Sequence, residues 1–157
     1  MADMLVKLYD LPSSEGIRKE LASKGIVIHR ALPPDKERIV EWIRTHSTRY
    51  AGGEADVCFS HTPVSLFLAT RECEILGYCC YDATAPDFFG PTKVLETEQG
   101  KGIGKALLLV ALEALAAEGY GYAIIGGVGP VAFYAKCCNA ILIEGSTPGL
   151  YKDFIRG

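Results

Sequence analysis

Two periods alternate along the chain. Short β-branched or alternating runs predict strands at 5–9, 26–31, 65–70, 75–81, 92–95, 120–125, 140–143 and 150–155. Helical spacing appears in four places. A short helix from Glu15 to Ser23 follows Pro12-Ser13-Ser14 and ends at Gly25. The next starts at Pro33-Pro34-Asp35 and runs to about His46, with Ile39, Trp42, Ile43 and His46 at i, i+3, i+4 and i+7. A long apolar helix covers Ala106 to Ala117 and stops at Gly119, and a short one covers Val131 to Cys137, where Pro130 suits a first helical position. Residues 48–63 have no clear period and carry Gly52-Gly53 and Pro63, which predicts a loop. Asp82 to Pro91, with two prolines, Phe88, Phe89 and Gly90, predicts an aromatic-bearing loop.

The polar turn Arg71-Glu72-Cys73-Glu74 joins two of these strands as an antiparallel hairpin. The helix between 92–95 and 120–125 makes that later pair parallel. Antiparallel strands followed by strand-helix-strand units predict an α/β fold of mixed α+β character, a mixed sheet flanked by helices.

Composition narrows the picture modestly. A chain of 157 residues that is 49% apolar fits one domain with a full core, spanning 1–157. Glu113 and Glu118 interrupt the longest apolar run, so no membrane span is expected, and Met1-Ala2-Asp3-Met4 lacks signal-peptide features, which points to the cytoplasm. The cysteines Cys58, Cys73, Cys79, Cys80, Cys137 and Cys138 show no C-x-x-C spacing, so reduced core thiols are expected rather than a metal site or a disulfide framework. A net charge of −3 argues against nucleic acid as the main partner.

The chemistry concentrates in Glu98-Gln99-Gly100-Lys101-Gly102-Ile103-Gly104-Lys105-Ala106, at a strand-to-helix junction. Glycine lets backbone approach a ligand closely, and the first turn of the helix offers free N–H groups and the positive end of its dipole. Such a junction suits a phosphate or pyrophosphate, and Lys101 and Lys105 add positive charge. The glycines fall as G-x-G-x-G, not the G-x-G-x-x-G of a dinucleotide site; a P-loop fails because Gln99 stands at its first glycine position and Ala106 at its hydroxyl.

What remains, Q-x-x-G-x-G from Gln99 to Gly104, resembles the acyl-coenzyme A loop of the GNAT superfamily of N-acyltransferases. The order of elements from Ile26 onward is similar too, with Met1 to Gly25 an additional strand and helix that pack on the sheet edge or mediate a dimer. A second landmark is Phe133-Tyr134-Ala135-Lys136, which resembles the family's F-Y-x-K. The resemblance implies strands splayed around acetyl-coenzyme A as cosubstrate. Val94 and Leu95 on the strand would bind it, with Gln99, Gly100, Lys101, Gly102, Ile103, Gly104, Lys105 and Ala106 on the loop and helix start. It further implies that Tyr134 is the general acid for the departing thiolate and that backbone N–H near Val94 polarises the thioester carbonyl. Where many members carry an asparagine, seven residues before the tyrosine, this chain has Gly127, so only backbone contacts from 126–129 remain there.

For a base, the candidates are Glu96, Asp82, His61 and Glu98, with Glu96 preferred because it follows Val94 and Leu95. The loops 48–63 and 82–91 are expected to wall the acceptor, with Glu54, Asp56, Asp82 and Asp87 making that wall acidic. The expected activity is acetyl transfer to a primary amine of a small molecule or peptide by direct attack in a ternary complex. The rival is a non-catalytic acyl-coenzyme A binding or sensing module. A cysteine acyl-enzyme would need a histidine beside Cys79 or Cys137.

Overall fold

The computed structural model describes residues 1–155. Its centre is a seven-stranded mixed sheet of β1 (Met4–Lys7), β2 (Val27–Arg30), β3 (Leu66–Arg71), β4 (Glu74–Tyr81), β5 (Phe88–Val94), β6 (Tyr122–Ile125) and β7 (Ile141–Leu142), in the order β2-β3-β4-β5-β6-β1-β7. The hairpin β3–β4 and the pair β4–β5 are antiparallel, and β5 and β6 are parallel, as their connections require. The helices are α1 (Glu15–Ala22), α2 (Lys36–His46), α3 (Arg49–Cys58), α4 (Ile103–Ala117) and α5 (Val131–Cys138).

Helices cover both faces. α2 and α3 bury Ile39, Val40, Ile43, Ala51, Ala55 and Cys58 against Leu66, Leu68, Tyr78 and Cys80. The opposite core gathers α4, α5, Leu21 of α1 and the reverse side of the sheet. α4 is apolar nearly all round because neighbours enclose it: Leu107, Leu108, Leu109, Ala111, Leu112 and Leu115 are all fully buried. α1 is tied to it at Ser14, whose N–H and hydroxyl both donate to Glu113, at 3.2 and 2.5 Å.

Four expectations are corrected. Residues 48–63 are not a loop, since α3 runs through Gly52 and Gly53. Thr48 caps it by accepting from the Ala51 N–H at 3.1 Å, and Gly52 stands where a Cβ would collide with the Arg44 side chain of α2. The glycine that disguises the helix is therefore what lets the two helices meet. Phe88 to Pro91 belong to β5, not to a loop. The expected last strand over Leu150 to Ile155 is instead a 3₁₀ turn, Gly149–Tyr151, followed by irregular chain. Finally, the N-terminal strand does not add to an edge: β1 pairs antiparallel with both β6 and β7, filling the place beside β6 that a returning C-terminal strand would need.

Candidate active site

β5 and β6 share only a short ladder, Phe88 opposite Ile124 and Phe89 opposite Ile125. Its end has a local cause. Gly90 takes a left-handed φ of +115°, Pro91 has no N–H to give, and the β4–β5 register shifts at the same place. From Thr92 to Val94, β5 keeps its β4 partner but has none on the other side. The Leu95 N–H donates to the Leu76 carbonyl at 2.9 Å, so strand alternation turns the N–H groups of Thr92 and Val94 into the gap.

A cavity of about 500 Å³ occupies this gap. Gly90, Pro91 and Thr92 line one side; Ile125 and the Gly126–Gly129 loop line another, and Tyr134 of α5 closes in beside them. Tyr50 and Glu54 of α3, with Met1, Thr84, Phe89, Pro148, Tyr151 and Phe154, complete it. Tyr134 is buried, with Phe89 and Phe133 rings edge-on to its own at 6.3 and 5.2 Å. Burial pushes its hydroxyl up to about 12, so it is protonated at neutral pH. Glu54 is partly buried and its carboxyl is pushed above the usual carboxylate range by that burial, against the opposing effect of the Thr84 hydroxyl, which donates to Oε1 at 3.1 Å.

The glycine loop joins the end of β5 to α4. Gly100 and Gly102 have φ of +82° and +92°, and Gly102 occupies the N-cap position without a capping side chain. The first internal bond of the helix is from the Ala106 N–H to the Gly102 carbonyl, which leaves the N–H groups of Ile103, Gly104 and Lys105 for a ligand. The glycines serve different ends. A Cβ on Gly102 would meet Ile17 Cδ1 at 2.6 Å, so this glycine is needed for conformation and for packing on α1. A Cβ on Gly104 would meet Phe133 Cζ at 3.7 Å and Val94 Cγ2 at 3.8 Å, ordinary contacts, so neither packing nor backbone conformation requires this glycine.

The loop is braced by Glu98, which is buried and accepts from both terminal nitrogens of Arg71 at 2.9 Å each and from Lys101 Nζ at 2.7 Å. Bonding to Arg71 and then Lys101 holds this carboxyl down at about 2. That chemistry does not suit a base, and the Lys101 ammonium is engaged by Glu98, whereas Lys105 is exposed and makes no ion pair among the described residues. The Gln99 side chain donates to the Val94 carbonyl at 3.3 Å, linking loop to strand. Leu95 is half-buried and Ala106 buried behind the loop.

The base candidates from sequence do not gather at the cavity. Glu96 is exposed in the 3₁₀ turn after β5 and is not among the cavity residues. Asp82 and His61 line a separate recess with Glu118 and Tyr120, while Asp56 pairs with Lys36 at 2.8 Å. Of the acidic residues expected in the acceptor wall, only Glu54 lines the cavity. The loop at 126–129 is also partly committed, since the Gly127 N–H donates to Asp3 and the Val128 N–H to the Ala2 carbonyl.

A cysteine nucleophile is disfavoured. Burial pushes the Cys79, Cys80 and Cys137 thiols up, and each imidazole is engaged: both ring nitrogens of His29 by Arg30 and Thr70, His46 Nδ1 by the Trp42 carbonyl and His61 Nε2 by the Asp82 carbonyl. Sequence reasoning put Glu54 in the acceptor wall but missed Tyr50, Tyr151 and Phe154 beside it. A usable signal was present in Ala51, Ala55 and Cys58, which fall at i, i+4 and i+7 and predict a helix with a small-residue face.

No family model and no curated protein matches the sequence. Solved structures do match. A GCN5-related glucosamine N-acetyltransferase region of a fungal multi-domain GH3 β-N-acetylglucosaminidase aligns over 90% of this chain and 19% of its own, with TM-score 0.72 and 13% identity. The chain has the GNAT fold. A GCN5-related N-acetyltransferase from Sphaerobacter thermophilus covers 90% of this chain and 48% of its own, with TM-score 0.60 and 19% identity. A Drosophila protein matches over 90% of this chain and 47% of its own, with TM-score 0.64 and 11% identity. This GNAT-fold chain thus spans less than half the length of each. Among the described residues, no helix is long and apolar enough to cross a membrane.

Proposed function

We propose that this chain is an N-acetyltransferase that uses acetyl-coenzyme A and a primary amine, both reacting in the gap between β5 and β6. The observation that carries the reading is the convergence in one cavity of the open edge of β5, a buried protonated tyrosine and one carboxylate, beside a glycine loop with unpaired N–H groups. The residues present fit the coenzyme. The N–H groups of Ile103, Gly104 and Lys105 and the Lys105 ammonium would hold its pyrophosphate, Gly104 leaves room for it, and the bound coenzyme supplies the thioester.

Each group then has one task. Glu54, kept more basic than an ordinary carboxylate, attracts the acceptor ammonium and takes one of its protons. The freed nitrogen lone pair forms a bond to the thioester carbonyl carbon as the C–S bond breaks. The N–H groups of Thr92 and Val94 face the developing oxyanion. Tyr134 gives its proton to the departing sulfur, and the second proton lost by the nitrogen restores the tyrosine. The balance is one ammonium and one thioester giving one amide, one thiol and one proton.

A thiol-release assay with acetyl-coenzyme A against a panel of primary amines tests this. Amine-dependent thiol release is expected. Tight coenzyme binding with no release across the panel would make the chain a binding module instead.

A further inference from the structure

The acceptor side of the cavity has an unusual wall. Tyr50, Tyr151 and Phe154 form an aromatic group in which the Tyr50 and Phe154 rings meet edge-on at 5.0 Å and the Tyr151 and Phe154 rings at 6.3 Å. Glu54, with Thr84 bonded to it, sits in the same wall. It is the one charged side chain among the described residues lining the cavity, and no lysine or arginine joins it there.

Each feature constrains the acceptor. A partly desolvated carboxylate attracts an ammonium more strongly than it would in bulk water. Aromatic rings beside it accept both a cation and an apolar body. A carboxylate or phosphate on the acceptor would face Glu54 with no lysine or arginine side chain to offset it. A polyamine would bring further charges with no second carboxylate to meet them. A sugar amine would bring several hydroxyls to a wall whose side-chain hydroxyls are those of Tyr50, Thr84, Tyr134, Tyr151 and Thr92, the last already donating to the Tyr78 carbonyl.

We propose that the acceptor is a singly charged small-molecule primary amine with an aromatic or otherwise apolar body and no acidic group, selected by Glu54 together with Tyr50, Tyr151 and Phe154. The proposal rests on the transferase reading for its chemistry but concerns binding, so the two can fail separately. Calorimetry on the full chain would compare 2-phenylethylamine with phenylalanine, spermidine and glucosamine, and initial rates of acetyl transfer would be read on the same four. 2-Phenylethylamine is expected to bind at least about tenfold tighter than any of the others. Glu54→Gln should remove most of that advantage, and Phe154→Ala should weaken 2-phenylethylamine severalfold while leaving glucosamine unchanged. Thermal melts of both variants check that they fold. Equal or tighter binding of phenylalanine, spermidine or glucosamine overturns the proposal, as does failure of all four to bind. Selective, Glu54-dependent binding of 2-phenylethylamine without acetyl transfer to any amine leaves the acceptor proposal standing and sinks the transferase reading. Transfer to glucosamine or spermidine in preference does the reverse.

Discussion

On one side of the gap between β5 and β6, a continuous stretch from Val94 to Lys105 supplies the strand end, the glycine loop and the helix start, and it presents unpaired backbone N–H groups. On the other side, the wall is assembled from α3, the β4–β5 connection and the C-terminal segment, and it works through the side chains of Tyr50, Glu54, Thr84, Tyr151 and Phe154. The first side tolerates few substitutions, because left-handed φ at Gly100 and Gly102 favours glycine and a larger side chain at Gly104 would crowd the proposed pyrophosphate site. The second places no such demand on sequence. Its side chains are therefore free to set selectivity for one acceptor.

The largest expected effect is on the aromatic side. Glu54→Gln keeps the shape and the Thr84 contact but removes the base, so initial rates of acetyl transfer should fall by about 10²–10⁴ with the melting temperature little changed. Next comes Tyr134→Phe, which removes only a buried hydroxyl. Rapid-quench single-turnover rates should drop by about 10², while KM for the coenzyme stays within about twofold. Full rate in that variant would make Tyr134 a packing residue.

The glycine-loop side should respond differently at two positions. Gly104→Val puts a branched side chain at the proposed pyrophosphate site, and the Kd for acetyl-coenzyme A measured by calorimetry should rise at least about tenfold. Gly102→Ala instead forces a Cβ toward Ile17 at φ +92°, so denaturant unfolding should show a stability loss of about 1–2 kcal/mol. If the two variants behaved alike, the division of labour between these glycines would be wrong.

The smallest effects are in the pH dependence of stability, and they have opposite signs. Arg71 and Lys101 hold Glu98 at about 2, below its unfolded range near 4.5. The stability this contributes is present above that range and is lost as pH falls from about 4.5 through about 2. Glu98→Gln should flatten that acid limb in thermal melts. Burial and then the neighbouring Asp82 push Glu118 up to about 7, with His61 opposing them and Asp87 adding to them. This contribution is fully present at low pH and is lost as pH rises from about 4.5 through about 7. Glu118 is itself exposed, so solvent weakens the effect, and Glu118→Gln should remove only a shallow slope.

The contrast between the two sides also explains what the sequence disclosed. The sheet core, the parallel β5–β6 pair, α4 and α5 follow from local periodicity and punctuation, and the glycine loop is visible because backbone geometry there restricts residue type. α3 was hidden because Gly52 and Gly53 weaken helical propensity, yet packing against Arg44 of α2 outweighs that loss. With 48–63 read as a loop, Glu54 is one acidic residue among several, and Glu96 is preferred as base only for its place after Val94 and Leu95. The C-terminal segment was misread for a non-local reason: β1 already occupies the position between β6 and β7, so Leu150 to Ile155 has no open ladder there and turns over the cavity instead. Which chain segment fills that position depends on contacts between residues more than a hundred positions apart, beyond the reach of local patterns.

The most direct test is a crossed calorimetric measurement of two variants, Gly104→Val and Glu54→Gln, each against acetyl-coenzyme A and against 2-phenylethylamine. Gly104→Val should weaken the coenzyme at least about tenfold and leave the amine unchanged, and Glu54→Gln should do the opposite. Loss of coenzyme affinity in Glu54→Gln as large as its loss of amine affinity, or unchanged coenzyme affinity in Gly104→Val, would contradict a gap with one side for each substrate.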